Sequence, residues 1–137
     1  MIKFRYINDL TSDVMFEAYG MNLKELFNNA ATAMFTIFCK IGRVMPKKKI
    51  LVEVKGQNKE ELMKAWLQEL IALVDIEEKF FSRFDIIKID EQNLKAEIYG
   101  ETISPEKGNT VVKAVTNYGF EMGKKGKKLF VRFSLDI

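Results

Sequence analysis

The feature that most constrains the fold is a strand–turn–helix pattern that occurs twice in the chain. The first copy reads Glu-x-x-Gly-x-Asn-x-x-Glu-Leu over residues 17–26, and the second repeats these five identities over residues 53–62. In each copy a glycine ends an alternating strand, and Asn followed three residues later by Glu is typical of a capped helix start. The pattern is consistent with an internal repeat, and equally with two unrelated units that share a common signal. Either way, it predicts two helices, each entered from a strand and packed over one sheet.

Apolar periodicity extends these two units to the rest of the chain. Apolar residues at helical spacing predict a first helix from Leu23 to about Cys39 and a second from Asn58 to the region 75–78. Alternating residues predict strands over 4–7, 14–19, 50–55, 84–89, 94–99, 111–122 and 129–136. Polar residues predict hairpin turns over 90–93 and 123–128. The predicted fold class is α+β, with two helices on a mixed, mostly antiparallel sheet of about seven strands. Its order is strand–helix–strand–helix followed by a β-rich half, in a single domain over residues 1–137.

Histidine is absent from all 137 residues. This excludes Ser-His-Asp and Cys-His catalytic sets, histidine-ligated zinc and imidazole proton transfer. The phosphate-binding patterns G-x-x-x-x-G-K-[ST] and G-x-G-x-x-G are also missing. The single cysteine, Cys39, lies at the edge of the first helix's apolar stripe and is interpreted as a core residue. One cysteine, no apolar run of membrane-spanning length and no signal peptide together predict a cytoplasmic protein.

Two carboxylates are distinguished by their strand phase. In the last strand the apolar residues point one way, and Asp136 points the other way together with Arg132 and Ser134. Asp13 likewise lies opposite the apolar phase of the strand that begins beside it. If these strands are neighbours, Asp13, Asp136 and the main-chain carboxyl oxygens of Ile137 converge into an oxygen site suited to Ca²⁺, Mg²⁺ or Mn²⁺. The alternative is that both aspartates are ordinary solvated residues at strand ends.

Basic residues form the other notable feature. The lysine-rich segments 47–49 and 124–128 are interpreted as solvated connectors, with RNA contact as the alternative. The net charge of +3 favours nucleic acid only weakly. Lys113 falls on the predicted strand face of Val111 and Val115, where it either extends into solvent or meets an acidic or phosphate group of a partner.

Eight segments, taken in order, carry a resemblance to a known family. They are Thr11–Val14, Phe16–Gly20, Leu23–Ala31, Ala33–Phe35, Trp66–Leu70, Val74-Asp75, Val112–Thr116 and Leu135–Ile137. In order and spacing they resemble the archease family across nearly the whole chain. The resemblance implies a small, non-catalytic helper of the RtcB-type RNA ligase, which joins tRNA halves after intron removal. Such a helper promotes guanylylation of the ligase and its multiple turnover.

The resemblance also implies site residues and partners. It places a divalent metal at Asp13, Asp136 and Ile137, with Ca²⁺ as the first choice and Mg²⁺ or Mn²⁺ as alternatives. Asp75 and Lys113 match family positions and are expected to contact the partner or to lie next to the metal ligands. RNA is then reached only through the ligase. The alternatives are chaperone-like modulation of a tRNA cytosine methyltransferase, direct tRNA binding, and a metal-dependent hydrolase that uses the same carboxylates.

The chain departs from the family pattern at two places. Leu10 and Asn117-Tyr118 stand where the family usually has histidines. Neither position is a carboxylate ligand, so we expect metal binding to persist. Any hydrogen bond or proton transfer that those histidines supply elsewhere is lost.

Overall fold

The computed structural model describes residues 2–7 and 13–137. Its elements, in chain order, are β1 (Phe4–Ile7), β2 (Asp13–Gly20), α1 (Leu23–Phe38), β3 (Lys48–Lys55), α2 (Lys59–Glu77), β4 (Lys79–Ile89), β5 (Asn93–Thr102), β6 (Ala114–Lys125) and β7 (Lys128–Asp136). A short 3-10 turn, Ile41–Arg43, follows α1. The predicted α+β class, with two helices and about seven strands, is confirmed within the described ranges.

The strands form two antiparallel sheets. The first has four strands in the order β1-β2-β7-β6, and the second has three in the order β3-β5-β4. All pairings between these strands are antiparallel. The expectation of one mixed sheet was therefore wrong in this detail. Alternation shows which face a side chain takes, but it does not show which strands pair.

Both helices begin at the predicted caps. The Asn22 side chain accepts a hydrogen bond of 2.9 Å from the backbone N–H of Glu25. The Asn58 side chain accepts the equivalent 2.9 Å bond from the backbone N–H of Glu61. Each bond satisfies a donor that would otherwise be unpaired in the first helical turn.

The glycine before each cap is required by close backbone contact. A Cβ atom on Gly20 would lie 2.4 Å from the backbone nitrogen of Leu26, and one on Gly56 would lie 2.5 Å from that of Leu62. Both distances are shorter than real Cβ contacts, so only glycine fits without a backbone shift. The two strand–turn–helix units thus share their detailed geometry as well as their sequence pattern.

Both helices contact strands of both sheets, which gives the molecule one continuous core. α1 packs on β2 and β7 and also on β4, whereas α2 packs on β3, β4 and β5 and also on β6. Trp66 is fully buried, and its indole N–H donates to the Phe27 carbonyl at 2.9 Å. Cys39 is also buried, and this burial raises the pKa of its thiol to about 12, so it is a core residue as predicted.

In the described part of the chain, neither helix combines the length and apolar character needed to cross a membrane.

Both predicted hairpin turns are present. Between β4 and β5, a carboxylate oxygen of Asp90 accepts hydrogen bonds of 2.8 Å from the backbone N–H groups of Gln92 and Asn93. Between β6 and β7, Gly126 has a φ of 65°. Glycine adopts this left-handed conformation without steric strain.

The strand predicted over residues 111–122 differs most from the structure. β6 begins only at Ala114, so the expectation that Lys113 shares a strand face with Val111 and Val115 was wrong. Register is then lost between Thr116 and Glu121, where residues 117–120 form a bulge. This bulge folds over the outer face of the four-stranded sheet. A Cβ atom on Gly119 would lie 2.9 Å from the methyl carbon of Met15.

Candidate functional site

Asp13 and Asp136 lie directly opposite each other where β2 and β7 pair. Side chains at such cross-strand positions share one face of the sheet, with Cβ atoms about 4.5–5.5 Å apart. Both are half-buried, and Ile137 follows Asp136 immediately. β2 and β7 are therefore neighbours in the sheet, which the predicted convergence of Asp13, Asp136 and Ile137 requires.

The aspartate pair has no cationic neighbour among residues 2–7 and 13–137 at ion-pair distance. Like charges directly opposite each other destabilise a strand pair, and a shared cation would remove that repulsion. The described ranges contain no group of three or more His, Cys, Asp or Glu side chains placed to hold a metal ion together. A cation here would need two carboxylates plus main-chain oxygens of Ile137, and such an oxygen set fits a hard divalent ion.

Lys113 lies next to this pair, but its contact is through the backbone. Its N–H donates to the main-chain carbonyl of Asp136 at 2.8 Å, while the exposed side chain makes no ion pair within the described ranges. This hydrogen bond fixes the end of β7 where the two aspartates meet.

Asp75 lies on α2 and lines an apolar groove of about 200 Å³. Val111 and Ile103, on the rim of this groove, are 73% and 40% exposed. Residues 111–113 run from this groove to the end of β7, so the chain itself links the groove that Asp75 lines with the aspartate pair.

The two positions that depart from the family pattern have different outcomes. Leu10 lies outside the described residues. Asn117 and Tyr118 lie in the β6 bulge with exposed side chains, and the Tyr118 carbonyl accepts a 3.0 Å hydrogen bond from the buried Ser134 hydroxyl.

A buried carboxylate further along the same face was missed by the sequence analysis. Glu17 has 0% exposure, although it lies on the outward phase of β2. Its carboxylate oxygens are 2.6 Å from Lys125 Nζ, 3.0 Å from Arg132 Nη2 and 3.4 Å from Arg5 Nη2. A signal for Glu17 was available, because a pairing of β2 with β7 that sets Asp13 opposite Asp136 also sets Glu17 opposite Arg132.

The neighbours of Glu17 keep it ionised. Burial alone raises the pKa of Glu17, but hydrogen bonds from Lys125, Tyr19 and Arg132 outweigh burial and hold the pKa at about 2, below its ordinary 4.5. The Tyr19 hydroxyl donates at 2.7 Å and in turn accepts from Arg5 Nε at 2.8 Å.

Basic side chains cover the aromatic residues of this face. Lys128 Nζ lies 4.0 Å from the centre of the Tyr19 ring, and Lys125 Nζ lies 4.8 Å from the centre of the Phe130 ring. Together with Arg5 and Arg132, which bind Glu17, these lysines form what we call the basic end of the four-stranded sheet: Arg5, Lys125, Lys128 and Arg132.

In the other lysine-rich segment, two of the three lysines have acidic partners. Lys49 pairs with Glu97 at 3.2 Å, and Lys47 lies 3.9 Å from Glu101, both partners being on β5. The two basic segments that looked alike in sequence thus differ in their surroundings.

Comparison with known proteins decides the family. The archease protein family (MTH1598/TM1083) matches residues 4–137. The chain belongs to the archease family. It is 37% identical to a protein named archease from Sulfurisphaera tokodaii and 31% identical to one from Sulfolobus acidocaldarius, with 100% of each chain covered in both cases.

Solved structures agree with this archease assignment. The solution structure of protein 1598 from Methanobacterium thermoautotrophicum matches with a TM-score of 0.83 and 30% identity, covering 98% of this chain and 99% of that one. A crystal structure from Thermotoga maritima, described as an archease and possible chaperone, matches with a TM-score of 0.69 over 97% of each chain. At 17% identity, the second likeness concerns the archease fold alone.

Proposed function

We propose that this protein is a non-catalytic accessory protein of an RtcB-type RNA ligase that promotes guanylylation of the ligase and its multiple turnover. Membership of the archease family supports a helper role. The observation that carries the proposal is the cross-strand pair of Asp13 and Asp136, beside Ile137 and without an ion-pair partner in the described ranges.

In this proposal Asp13, Asp136 and the main-chain oxygens of Ile137 hold one divalent ion, with Ca²⁺ as the first choice and Mg²⁺ or Mn²⁺ as alternatives. A divalent ion of this kind neutralises phosphoryl oxygens during nucleotidyl transfer. The strand ladder fixes the spacing of the two carboxylates, and the Lys113 backbone N–H holds the carbonyl that precedes Ile137.

Asp75 and Lys113 are proposed as partner contacts. Asp75 lines the apolar groove, and Lys113 lies on the segment that runs from this groove to the aspartate pair. A ligase surface that reaches the metal from this side would cover Val111, the most exposed apolar residue on the groove.

Multiple-turnover RNA ligation by an RtcB-type ligase tests the proposal. The assay contains GTP, a divalent metal and ligase well below the RNA concentration, with and without this protein. We expect activation with the unchanged protein, and only the rate of the ligase alone with Asp13→Asn or Asp136→Asn. Asp85→Asn is the matched control, because Asp85 lies on the other sheet and pairs with Arg83 at 3.0 Å. A folded double variant of Asp13 and Asp136 with full activating power would refute the metal site.

A second candidate function is chaperone-like modulation of a tRNA cytosine methyltransferase. The exposed apolar rim formed by Val111 and Ile103 favours it, because a protein client covers such surface when it binds. This alternative predicts that Val111→Asp removes the effect on the methyltransferase, whereas Asp136→Asn retains it. The opposite pattern would exclude the alternative.

A further inference from the structure

We infer that the basic end of the four-stranded sheet binds the phosphate backbone of a nucleic acid strand directly. The inference concerns Arg5, Lys125, Lys128 and Arg132, and it is independent of the metal site proposed above.

Charge is the first argument. Within residues 2–7 and 13–137, the four cations of the basic end have two carboxylates at ion-pair distance, those of Glu17 and Glu121, which leaves an excess of two positive charges. Glu17 is fully buried and out of reach of a ligand. The side chains of Arg5, Lys125 and Arg132 remain 56%, 41% and 32% exposed. These cations are therefore accessible to a ligand from the solvent side, while the carboxylate of Glu17 lies beneath them.

Fixed geometry is the second argument. The Glu17 carboxylate binds three of the four cations, and the Tyr19 hydroxyl links Arg5 to the same group. Lys128 is held over the Tyr19 ring. Side chains that are already ordered lose less conformational entropy when a ligand binds. The face therefore offers a preorganised row of donors rather than flexible lysines.

The apolar side chains that lie under the basic end are covered, which separates nucleic acid from other anionic partners. Met15, Tyr19 and Phe130 lie on the outward strand phase but are only 4%, 5% and 6% exposed. Protein interfaces depend on buried apolar and aromatic anchors, and membrane binding depends on inserted apolar side chains. Base stacking needs an exposed aromatic ring, and the exposed ring of Tyr118 lies in the β6 bulge, outside the basic end. Phosphate contacts need only the cations, so binding is expected to be independent of nucleotide sequence.

Fluorescence anisotropy with a short labelled single-stranded RNA tests this inference. The titrations are run in EDTA at several salt concentrations. If all four cations contact phosphates, log K falls with log[salt] with a slope of about −3. The double variant Lys125→Gln/Lys128→Gln is expected to reduce that slope by about 1.4 and to weaken binding at least tenfold at low salt.

The matched control is Lys47→Gln/Lys49→Gln, which removes the same charge from ion-paired lysines beside the other sheet and should change affinity less than twofold. An equal loss in both double variants would show that net charge alone acts and would overturn the inference. Salt-independent binding would overturn it too, as would polyglutamate or anionic vesicles competing better than RNA for the unchanged protein.

Two further variants keep the outcome interpretable. If Lys125→Gln disturbs folding through Glu17, Arg5→Gln/Lys128→Gln provides the same test, because Lys125 and Arg132 still bind Glu17. Asp13→Asn/Asp136→Asn should retain full RNA affinity in EDTA. Loss of the metal site and loss of RNA binding can therefore be told apart.

Discussion

Glu17 and Glu53 occupy the same position in the two strand–turn–helix units, yet their surroundings are opposite. Glu17 lies on β2, between β1 and β7, and faces Arg132 across the ladder. Glu53 lies on β3, at the edge of the other sheet, and is exposed opposite Lys95. Neighbouring strands therefore determine which of two equivalent carboxylates becomes buried.

We expect Glu17→Gln to lower the free energy of unfolding by about 3 kcal/mol, because it removes the buried partner of three cations. Glu53→Gln is the matched control and should stay within about 0.5 kcal/mol of the unchanged protein. Urea denaturation measures both. Equal stability of the two variants would contradict the structural role of Glu17.

The low pKa of Glu17 gives this stabilisation a pH window. The pKa is about 2 in the folded protein against an ordinary 4.5. A carboxyl group whose pKa is lower in the folded than in the unfolded state stabilises the fold at pH values above the unfolded-state pKa. This stabilisation is lost as the pH falls through the folded-state pKa. The stability difference between the unchanged protein and Glu17→Gln should thus be constant above about pH 5 and shrink between about pH 4.5 and 2. Urea midpoints measured across that range check it, and a constant difference would contradict it.

At the level of elements, the strand–turn–helix units are held by backbone approach at their glycines. Gly20→Ala and Gly56→Ala should each destabilise the protein by about 2 kcal/mol or more, because each new Cβ meets a helix backbone nitrogen. Gly42→Ala is the control, since nothing lies within 4 Å of its Cβ position. Thermal unfolding followed by circular dichroism distinguishes them. If Gly56→Ala behaved like Gly42→Ala, the two units would not be equivalent.

Local signals in the sequence were sufficient for the helices and hairpins. Asn22, Asn58 and Asp90 each act on backbone groups within three residues, so their effect can be read along the chain. The division into two sheets depends on pairings between distant strands, which periodicity does not encode. The late start of β6 and its bulge at residues 117–120 could not be predicted for the same reason. Both are defined by how β6 pairs with its neighbour β7, which residue alternation does not show.

For the candidate site, too, the local residue pattern predicted one part, and contacts between distant strands determined the rest. Strand phase placed Asp13 and Asp136 on outward faces, and the register of β2 with β7 brings them opposite each other. Met15 and Phe130 also lie on the outward strand phase, yet both are buried. The β6 bulge covers Met15, and Lys125 covers Phe130. Coverage of this kind depends on side chains from other strands, so residue alternation within one strand could not predict it.

At the scale of the whole molecule, the outer face of the four-stranded sheet separates its charges. The aspartate pair lies at one end of β7 and the basic end begins at Lys128, at the other. At about 3.3 Å per residue along β7, Lys128 is roughly 27 Å from Asp136, and Arg132, the nearest residue of the basic end on this strand, is roughly 13 Å from it. One face can therefore hold a cation at one end and a polyanion at the other.

Calcium is expected to stabilise the fold through this pair. At a Ca²⁺ concentration about 100 times the dissociation constant, binding adds about 2.7 kcal/mol and should raise the unfolding midpoint by roughly 5–10 °C. Scanning calorimetry with Ca²⁺ and with EDTA measures the shift. Asp136→Asn should abolish it, whereas Asp85→Asn should retain it. An equal shift in both variants would place the ion elsewhere.

The pairing of β2 with β7 has a consequence for how the protein is made. β2 leaves the ribosome before both helices and before β3 to β6, and β7 leaves after all of them, so β2 lacks one neighbour while the whole of this intervening chain is synthesised. Contacts between such distant segments form slowly, since the intervening chain must first be brought into a closed loop. The three-stranded sheet, built from β3, β4 and β5, has all its strands earlier and can assemble first. The aspartate pair consequently exists only in chains whose synthesis has reached β7, and a prematurely terminated product lacks it.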